Sequence, residues 1–389
     1  MFKMYSFLLL SFCSLLISVP ASAQWTRSSN ESQEETARIR NFLQRVANES
    51  GAPGVSAAVM IQGRMAFSGG VGFADLDNQV RQTGKTVHNI GSISKAVAVL
   101  AIMQLEEQGL LRLDDEIQKY LPYFPRKEKP ITIRHILTHT SGIRHYNQRD
   151  SEDQGVKRMR HYEDFEEATK LFRDDPLLFM PGDYYNYSSF SSNLMHGIVE
   201  KVSGMPFEAY LKKNIWEPAG MLATSFDVPS RIVAHRGKGY VRDEKGVLIN
   251  APYEDVSYKY AGGGIVSTPE DMLYLVKALN KGHLLRNSTL DKLYFKHFNI
   301  REKQWGAKKT DNPPPVWQGL IWQIGNDVKD RTWYGHSGTV KGTRSYLLNF
   351  PDDGVIIALQ ANIGSIPIDE YAHSLAQMVL AEVSPKKLK

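Results

Sequence analysis

The stretch NIGSISK, residues 89–95, determines how the rest of the chain is interpreted. It places Ser92 three residues before Lys95, at the start of a predicted apolar helix over residues 96–108. Residues three apart lie on one face of a helix, so the lysine amine can reach the serine hydroxyl. Free N–H groups and the dipole of the first turn favour negative charge on an attacking serine and on the oxyanion that follows. Ser-x-x-Lys alone recurs by chance, but the apolar helix predicts a buried and rigid pair.

Residues 1–23 are organised like a secretory signal peptide. Lys3 precedes an apolar run over residues 5–20, and the small residues Ala-Ser-Ala follow at 21–23. The run is short for a membrane span, and the chain's single cysteine, Cys13, lies within it. We therefore expect a periplasmic or secreted mature protein without a thiol and without a stable membrane anchor.

The composition is that of an ordinary globular protein, with 42% hydrophobic and 23% charged residues in 389. This length predicts one large domain or two closely associated ones after removal of the leader. The formal net charge of +5 is mild, and no basic run is interleaved with aromatic residues. Nothing in this pattern favours nucleic-acid binding, and the oligomeric state is not specified.

Hydrophobic periodicity predicts an α/β fold whose sheet is assembled from both ends of the chain. The predicted helix 32–47 precedes a hairpin, 55–61 and 64–74, that turns at Gln62-Gly63. Near the other end lie predicted antiparallel strands and a last helix, at 332–338, 342–350, 354–361 and 367–381. We expect an antiparallel sheet flanked by helices, formed by residues 32–88 and 260–389, with a mainly helical domain inserted over 89–259.

The inserted part contains predicted helices at 131–138, 193–203 and 207–216, and a glycine turn at 262–264 precedes a further helix start at 268–271. Residues 144–170 are charged and poor in aliphatic side chains. They predict either an ordinary solvated loop or a mobile rim with little buried area.

A polar and aromatic stretch, PGDYYNYSSF at residues 181–190, precedes the predicted helix 193–203. A neighbouring ammonium such as that of Lys95 would favour a phenolate at Tyr187, which then takes the proton of the serine. The local sequence by itself favours a simpler interpretation, a tyrosine-rich turn packed on the protein.

The stretch WYGHSGT, residues 333–339, places a histidine, a hydroxyl and a glycine on one predicted strand. An edge strand can pair with a peptide-like substrate while its N–H completes an oxyanion hole. The alternative is a strand end with a surface histidine. A metal at His336 is not expected, because no second ligand stands at ligand spacing.

Together these stretches resemble the serine β-lactamase and penicillin-binding superfamily, in its class C-like branch, over about residues 35–382. Further marks of the branch are LTHTSG at 137–142, Pro181-Gly182, IVE at 198–200, Ser203-Gly204, AGGG at 261–264 and Ser267-Thr268. The chain looks most similar to the mitochondrial serine β-lactamase-like protein and its bacterial relatives, through SGIRHY at 141–146, DPL at 175–177, YSSF at 187–190 and SYK at 257–259.

The resemblance implies roles for the named residues. It implies Ser92 as nucleophile, Lys95 and Tyr187 as proton-transfer groups, and backbone N–H groups of Ser92 and Thr339 as the oxyanion hole. The residues it implies for substrate binding are Ser189, His336, Ser337 and Gly338, and it implies neither a cofactor nor a metal. Which of Lys95 and Tyr187 is the working base stays open.

Two positions depart from the wider pattern. Ser189 stands where the superfamily's Tyr-x-Asn motif has its amide, and His336 stands where β-lactamases often carry lysine. Both changes weaken the case for efficient antibiotic hydrolysis and leave serine acyl transfer intact.

The sequence thus predicts an exported serine hydrolase that forms an acyl-enzyme at Ser92 with peptide-like amides or esters. A β-lactamase, a D-Ala-D-Ala carboxypeptidase and a non-catalytic penicillin-recognising module are the alternatives. A Ser-His-Asp triad is disfavoured, because Gly91-Ser92 does not continue into a Gly-x-Ser-x-Gly elbow.

Overall fold

The structure is a computed structural model that describes residues 29–146, 159–306 and 315–383. The predicted leader, residues 1–23, and positions 147–158 of the predicted insertion lie outside the described residues. Across the three described ranges, no helix is long and apolar enough to cross a membrane.

Fourteen strands are formed by the described residues. They are β1 Gly54–Ile61, β2 Arg64–Asp75, β3 Val80–Arg81, β4 His88–Asn89, β5 Ser225–Phe226, β6 Tyr240–Arg242, β7 Leu248–Asn250, β8 Ile265–Ser267, β9 Phe298–Asn299, β10 Trp317–Gln318, β11 Gln323–Asn326, β12 Thr332–Val340, β13 Thr343–Phe350 and β14 Val355–Ala361.

The longer helices are α1 Ser29–Ser50, α2 Ile93–Glu107, α3 Ser189–Ser203, α4 Pro269–Asn280 and α5 Ile368–Leu380. Shorter helical segments are Ile117–Lys119, Ile133–Leu137, Phe165–Thr169, Phe207–Leu211, Lys212–Trp216, Glu217–Ala219, Ser257–Lys259, Tyr260–Gly263, Asn287–Leu293 and Ile300–Lys303.

Both ends of the chain contribute to the main sheet, as predicted. Within the described residues it has nine strands in the order β3-β2-β1-β14-β13-β12-β11-β10-β9. The N-terminal hairpin joins the C-terminal strands where β1 pairs antiparallel with β14, with Val55 opposite Ala361. The hairpin turn lies at Gln62 and Gly63, which both have positive φ. The predicted antiparallel α/β sheet flanked by helices is therefore confirmed.

The sheet separates two hydrophobic cores. In β1, Val59 and Ile61 belong to one core, whereas Ala58 and Met60 belong to the other. Side chains alternate between the faces of a strand, so burial along the whole of β1 requires a layer on each face. Helices α1 and α5 cover one face, and the helical part around α2 covers the other.

Helix α2 lies inside the larger core. Nearly all its residues from Ile93 to Leu105 are buried, which explains why its sequence is apolar on every side. A helix packed all round is held rigidly, and this rigidity passes to the residues at its N-terminus.

Several predicted elements have other bounds in the structure; α2, for example, begins at Ile93 rather than at 96. Helix α3 begins at Ser189 rather than at 193, because the Ser188 hydroxyl accepts the Ser191 N–H and caps it. The predicted helix 207–216 divides into an α-helix and a π-helical turn at Lys212. The glycines of the predicted turn 262–264 mostly form the last residues of the short helix Tyr260–Gly263.

The expectation of little buried area in residues 144–170 is also wrong where this segment is described. Tyr162, Phe165 and Ala168 are buried in the larger core. Arg144 forms an ion pair with Asp175, with 2.6 Å between Nε and Oδ2. Both described ends of the segment are therefore packed against the protein.

Candidate active site

Ser92 and Lys95 meet at the N-terminus of α2. Ser92 is the N-cap residue, and the Lys95 Nζ lies 2.9 Å from the Ser92 Oγ. The same nitrogen donates to the carbonyl oxygen of Gly262 at 2.6 Å. These two contacts aim the lysine at the serine hydroxyl, as the three-residue spacing predicts.

Lys95 is buried completely, with 0% of its surface exposed. Burial, and after it the positive charge of Lys259, hold the pKa of Lys95 well below its usual value. A neutral amine is therefore favoured, and a neutral amine beside a hydroxyl can accept its proton.

The backbone just before Ser92, at Ile90 and Gly91, approaches strand β12 very closely. Gly91 has a φ of 53°, and a Cβ on it would lie 2.4 Å from the backbone nitrogen of Thr339. A Cβ on Gly338 would lie 1.9 Å from the carbonyl oxygen of Ile90. Only glycine permits both the conformation and the distance. The approach brings the Thr339 backbone to the start of α2, where the resemblance places the oxyanion hole.

Strand β12 has an open edge beside this site. Its register with β13 begins at the Val340–Thr343 pair, across a two-residue turn, and places Thr339 opposite Arg344. Hydrogen-bonded and non-bonded pairs alternate, so the N–H and C=O of Thr339 and Ser337 point away from β13. On that side β11 reaches only as far as Gly335. The predicted edge strand is thus an inner strand, and among the described residues no strand pairs with its final residues on the side away from β13.

Tyr187 lies beside the lysine, with Nζ 5.0 Å from the centre of its ring. Burial raises the pKa of Tyr187 to about 12, although interactions with the Ser92 and Ser189 hydroxyls act in the opposite direction. The neutral phenol is favoured, so the predicted phenolate is wrong. The phenolate was expected because of a positive charge on Lys95, and a neutral Lys95 does not carry that charge.

His336 and Ser189 lie on the walls of the same cleft. The Nδ1 of His336 contacts the Ser337 carbonyl oxygen at 2.6 Å, so this nitrogen carries the proton and donates. Burial, with Lys95 second, lowers the pKa of His336 to about 4. The histidine is therefore a neutral group near pH 7. Ser189 is the first residue of α3, and its backbone N–H donates to the His145 Nδ1 at 3.1 Å.

The cleft has a volume of about 580 Å³ and brings all the predicted side chains together. Its wall contains every predicted site residue except Lys95, which lies buried behind Ser92: Ser92, Tyr187, Ser189, His336, Ser337, Gly338 and Thr339. These residues come from the start of α2, the start of α3 and the end of β12.

Four further cleft residues were given no role from the sequence. They are His145, Tyr146, Glu254 and Lys259. The Lys259 Nζ donates to the Glu254 Oε1 at 2.6 Å, and the Tyr258 hydroxyl donates to the same oxygen at 2.6 Å. Two sequence features point to this pair: an acid five residues before a lysine, and the mark SYK at 257–259, just ahead of the glycines at 262–264.

Asn193, four residues after Ser189 on α3, is not part of the cleft wall. It is fully buried, and its amide donates to the Tyr258 carbonyl oxygen at 3.2 Å. Asn193 therefore does not supply the amide that Ser189 lacks.

An antiparallel sheet built from both chain ends, with Ser-x-x-Lys at the start of a buried helix, defines the class of penicillin-recognising and β-lactamase-like proteins. The chain belongs to the Beta-lactamase family, which it matches over residues 38–377. This family consists generally of serine hydrolases.

Particular relatives are similar over most of their length. The chain is 29% identical to the human mitochondrial serine beta-lactamase-like protein LACTB, over 87% of this chain and 78% of that protein. The octameric penicillin-binding protein homologue from Pyrococcus abyssi is 26% identical, with a TM-score of 0.76 and coverage of 90% and 78% of the two chains. A D-stereospecific amidohydrolase from Streptomyces shares the fold at 23% identity, with a TM-score of 0.73 and coverage of 87% and 97%.

Proposed function

We propose that the protein is a serine hydrolase that forms an acyl-enzyme at Ser92, with Lys95 as the base that activates it. The observation that carries this proposal is the 2.9 Å contact between the Lys95 Nζ and the Ser92 Oγ, made by a lysine whose neutral form is favoured. A neutral amine has a lone pair that can accept the hydroxyl proton, whereas an ammonium has none.

The reaction proceeds in two steps. The amine of Lys95 takes the Ser92 proton as the oxygen attacks a carbonyl carbon, and the backbone N–H groups of Ser92 and Thr339 stabilise the oxyanion. The proton passes to the leaving group through the neutral phenol of Tyr187, which donates its own proton and is restored by Lys95. Water then attacks the Ser92 ester by the reverse sequence, which releases the acid and the free serine.

We propose a peptide-like amide or ester as the substrate. The open edge of β12 supports this, because the N–H and C=O of Ser337 can pair with an extended backbone. Ser189 and the neutral His336 favour a peptide-like amide or ester over a β-lactam as the substrate, because both residues depart from the pattern of efficient β-lactamases. The signal-like residues 1–23 support export as the route to such a substrate.

Covalent labelling tests the nucleophile. A fluorophosphonate probe is expected to add one adduct to the wild-type protein and none to Ser92→Ala. Ser94→Ala is the matched control, because Ser94 lies on the same helix but bonds the Ile265 N–H at 3.1 Å, away from the cleft. Intact mass with peptide mapping reads the result. An adduct that persists at another serine in Ser92→Ala would overturn the assignment.

A substrate panel separates the alternatives. We expect turnover of p-nitrophenyl acetate and of some D- or L-peptide amides, with much slower turnover of nitrocefin. Efficient nitrocefin turnover would instead make the protein a β-lactamase. Stable labelling without turnover of any substrate would indicate the non-catalytic recognition module.

A further inference from the structure

We infer that Lys259 is a positioning residue of the reaction, which acts on Ser92 electrostatically through Lys95. The inference rests on the proposed function, since it assigns a role in activating the same serine. Lys259 is 7% exposed and lines the cleft that contains Ser92. Its Nζ is fixed by the 2.6 Å bond to Glu254 and lies over the rings of Tyr258 and Tyr146, 5.1 Å and 5.5 Å from their centres.

The two lysines are linked by one short piece of backbone. Lys95 donates to the carbonyl oxygen of Gly262, and the Lys259 side chain passes Gly263, with its Cδ 3.9 Å from the position of a Cβ there. Like charges on two buried lysines that share this segment of backbone repel each other. Lys259 has Glu254 as a counter-ion, whereas Lys95, among the described residues, donates its hydrogen bonds to a hydroxyl and a carbonyl oxygen. The repulsion therefore falls on Lys95.

The other titratable groups around Lys95 do not supply this charge. Tyr187, just before α3, lies beside Lys95, and three histidines pack around its ring: His139 after the helix Ile133–Leu137, His336 on β12, and His145. Burial, before all other causes, lowers the pKa of His139 and His336, so both are neutral near pH 7. The His145 Nδ1 accepts a bond from Ser189, so that nitrogen carries no proton.

Charge on Lys259 thus favours the amine of Lys95 over its ammonium, which is the condition for activating Ser92. Removing this charge raises the pKa of Lys95, so a smaller fraction of the enzyme carries a competent base at neutral pH. The charge of Glu254 has the opposite effect, because a carboxylate beside Lys259 raises the pKa of Lys95 whereas Lys259 lowers it. Substitution of either member of the pair therefore moves the acid limb of the pH profile in a predicted direction.

The experiment measures acylation of Ser92 by the neutral probe p-nitrophenyl acetate from pH 5 to pH 10. In Lys259→Met the rise of the rate with pH is displaced upward, and the rate at pH 7 falls by roughly tenfold while the high-pH plateau is kept. Lys259→Arg keeps the charge and the wild-type midpoint. Glu254→Gln displaces the midpoint downward as long as Lys259 stays charged. The salt dependence of the midpoint shows whether Lys259 is charged in this variant.

A rate that falls equally at every pH in Lys259→Met, with the midpoint unchanged, would show a merely structural role and overturn the inference. A changed KM for anionic substrates alone, at an unchanged midpoint, would assign Lys259 to substrate binding and overturn it too. If Lys259→Met does not fold, Lys259→Arg and Glu254→Gln decide by their midpoints. Absence of any acylation in the wild type would instead overturn the proposed function, and this inference with it.

Discussion

Ser92 and Lys95 show how much chemistry follows from placing a lysine where water does not reach it. In water an amine of ordinary pKa is protonated at neutral pH and cannot act as a base. Lys95 avoids this because it is completely buried beside a second lysine. Its charge would have no carboxylate to balance it in the hydrogen bonds described, since its two partners are a hydroxyl and a carbonyl oxygen.

Lys95→Met should reduce acylation of Ser92 by about a thousandfold or more, because a neutral hydroxyl attacks poorly without a base. The fold should persist, since methionine fills a similar apolar volume and leaves no uncompensated charge. Pre-steady-state rates with p-nitrophenyl acetate measure the loss, and circular dichroism checks the fold. A near-wild-type rate would remove Lys95 from the mechanism.

Ser189→Asn restores the amide of the wider Tyr-x-Asn motif at a position that lines the cleft. If the missing amide limits recognition of a β-lactam side chain, cephalosporin turnover should rise while hydrolysis of p-nitrophenyl acetate stays similar. Ser192→Asn does not serve as a control, because Ser192 is fully buried. Ser189→Ala does, since it removes the hydroxyl at the same position without adding an amide. A parallel change on both substrates in Ser189→Asn would indicate a general change of geometry.

At the residue scale the sequence predicted the groups that belong to short motifs. Ser92, Lys95, Tyr187 and His336 all lie at the cleft or directly behind it. The ionisation state of Tyr187 was not predictable, because it depends on burial and on a lysine that is itself neutral. Glu254 escaped notice because its partners come together only through the fold of residues 254–263.

At the scale of elements, the site depends on the contact between the start of α2 and strand β12. This contact is held by side chains of β13, since the Thr343 hydroxyl donates to the Asn89 carbonyl oxygen at 2.9 Å and the Ser345 hydroxyl donates to that of Ile90 at 3.0 Å. The helix, its leading residues and two strands therefore behave as one rigid unit around Ser92.

Gly91→Ala tests this unit. A Cβ at Gly91 meets the Thr339 nitrogen at 2.4 Å in a backbone with positive φ, so the strand and the helix must separate. We expect a fall in acylation of about a hundredfold or more, as for the loss of an oxyanion donor. The measurement is kcat/KM for p-nitrophenyl acetate beside the melting temperature.

Gly109→Ala is the matched control at the other end of α2. Gly109 also has a positive φ, of 72°, but nothing lies within 4 Å of the position of its Cβ. This variant should lose about 1 kcal/mol of stability from backbone strain and keep its activity. Equal losses of activity in the two variants would show that strain in α2, rather than the contact with β12, matters.

Strong periodicity made the long elements predictable. Short elements were not predicted, because they contain too few residues to show a period. The hairpin β1–β2, the strands β12–β14 and the last helix all follow from alternation or helical spacing. Strands β9 and β10 are two residues each and exist only by pairing with neighbours, so no local pattern specifies them. The sequence also did not predict where β11 ends, and the end of β11 decides which residues of β12 stay unpaired on that side.

On the scale of the whole molecule, the two ends of the chain close the fold on one face of the sheet. Helices α1 and α5 pack in the same hydrophobic core, and Arg38 forms an ion pair with Glu382 across them. The cleft that contains Ser92 lies on the side of the other core, around α2 and α3. Amphipathic helices near both ends of the sequence predict the layers but not which face each helix covers, because both faces of β1 are equally apolar.

Two buried histidines, His88 on β4 and His336 on β12, make the stability of the molecule depend on pH. Burial, with Arg236 second, lowers the pKa of His88 from 6.5 to about 3. The unfolded chain binds a proton at His88 below about pH 6.5 and the folded chain does not, so the free energy of unfolding falls as the pH drops through this window. Above pH 6.5 the histidine is neutral in both states and the dependence disappears. His336 acts with the same sign, because its pKa is lowered to about 4.

We therefore expect the wild-type protein to lose stability between pH 7 and pH 5, with His88 alone contributing about 2 kcal/mol of the change. Aspartates and glutamates titrate mostly below this range, so histidines dominate it. His88→Asn should be less stable at pH 7, because it loses packing and the contact with Gln82, yet its stability should change less between pH 7 and pH 5. Urea unfolding at pH 5, 6 and 7 measures the slope, with the exposed His283→Asn as control. If His88→Asn keeps the wild-type slope, His88 is protonated in the folded protein, and the neutral, desolvated environment assigned to it is wrong.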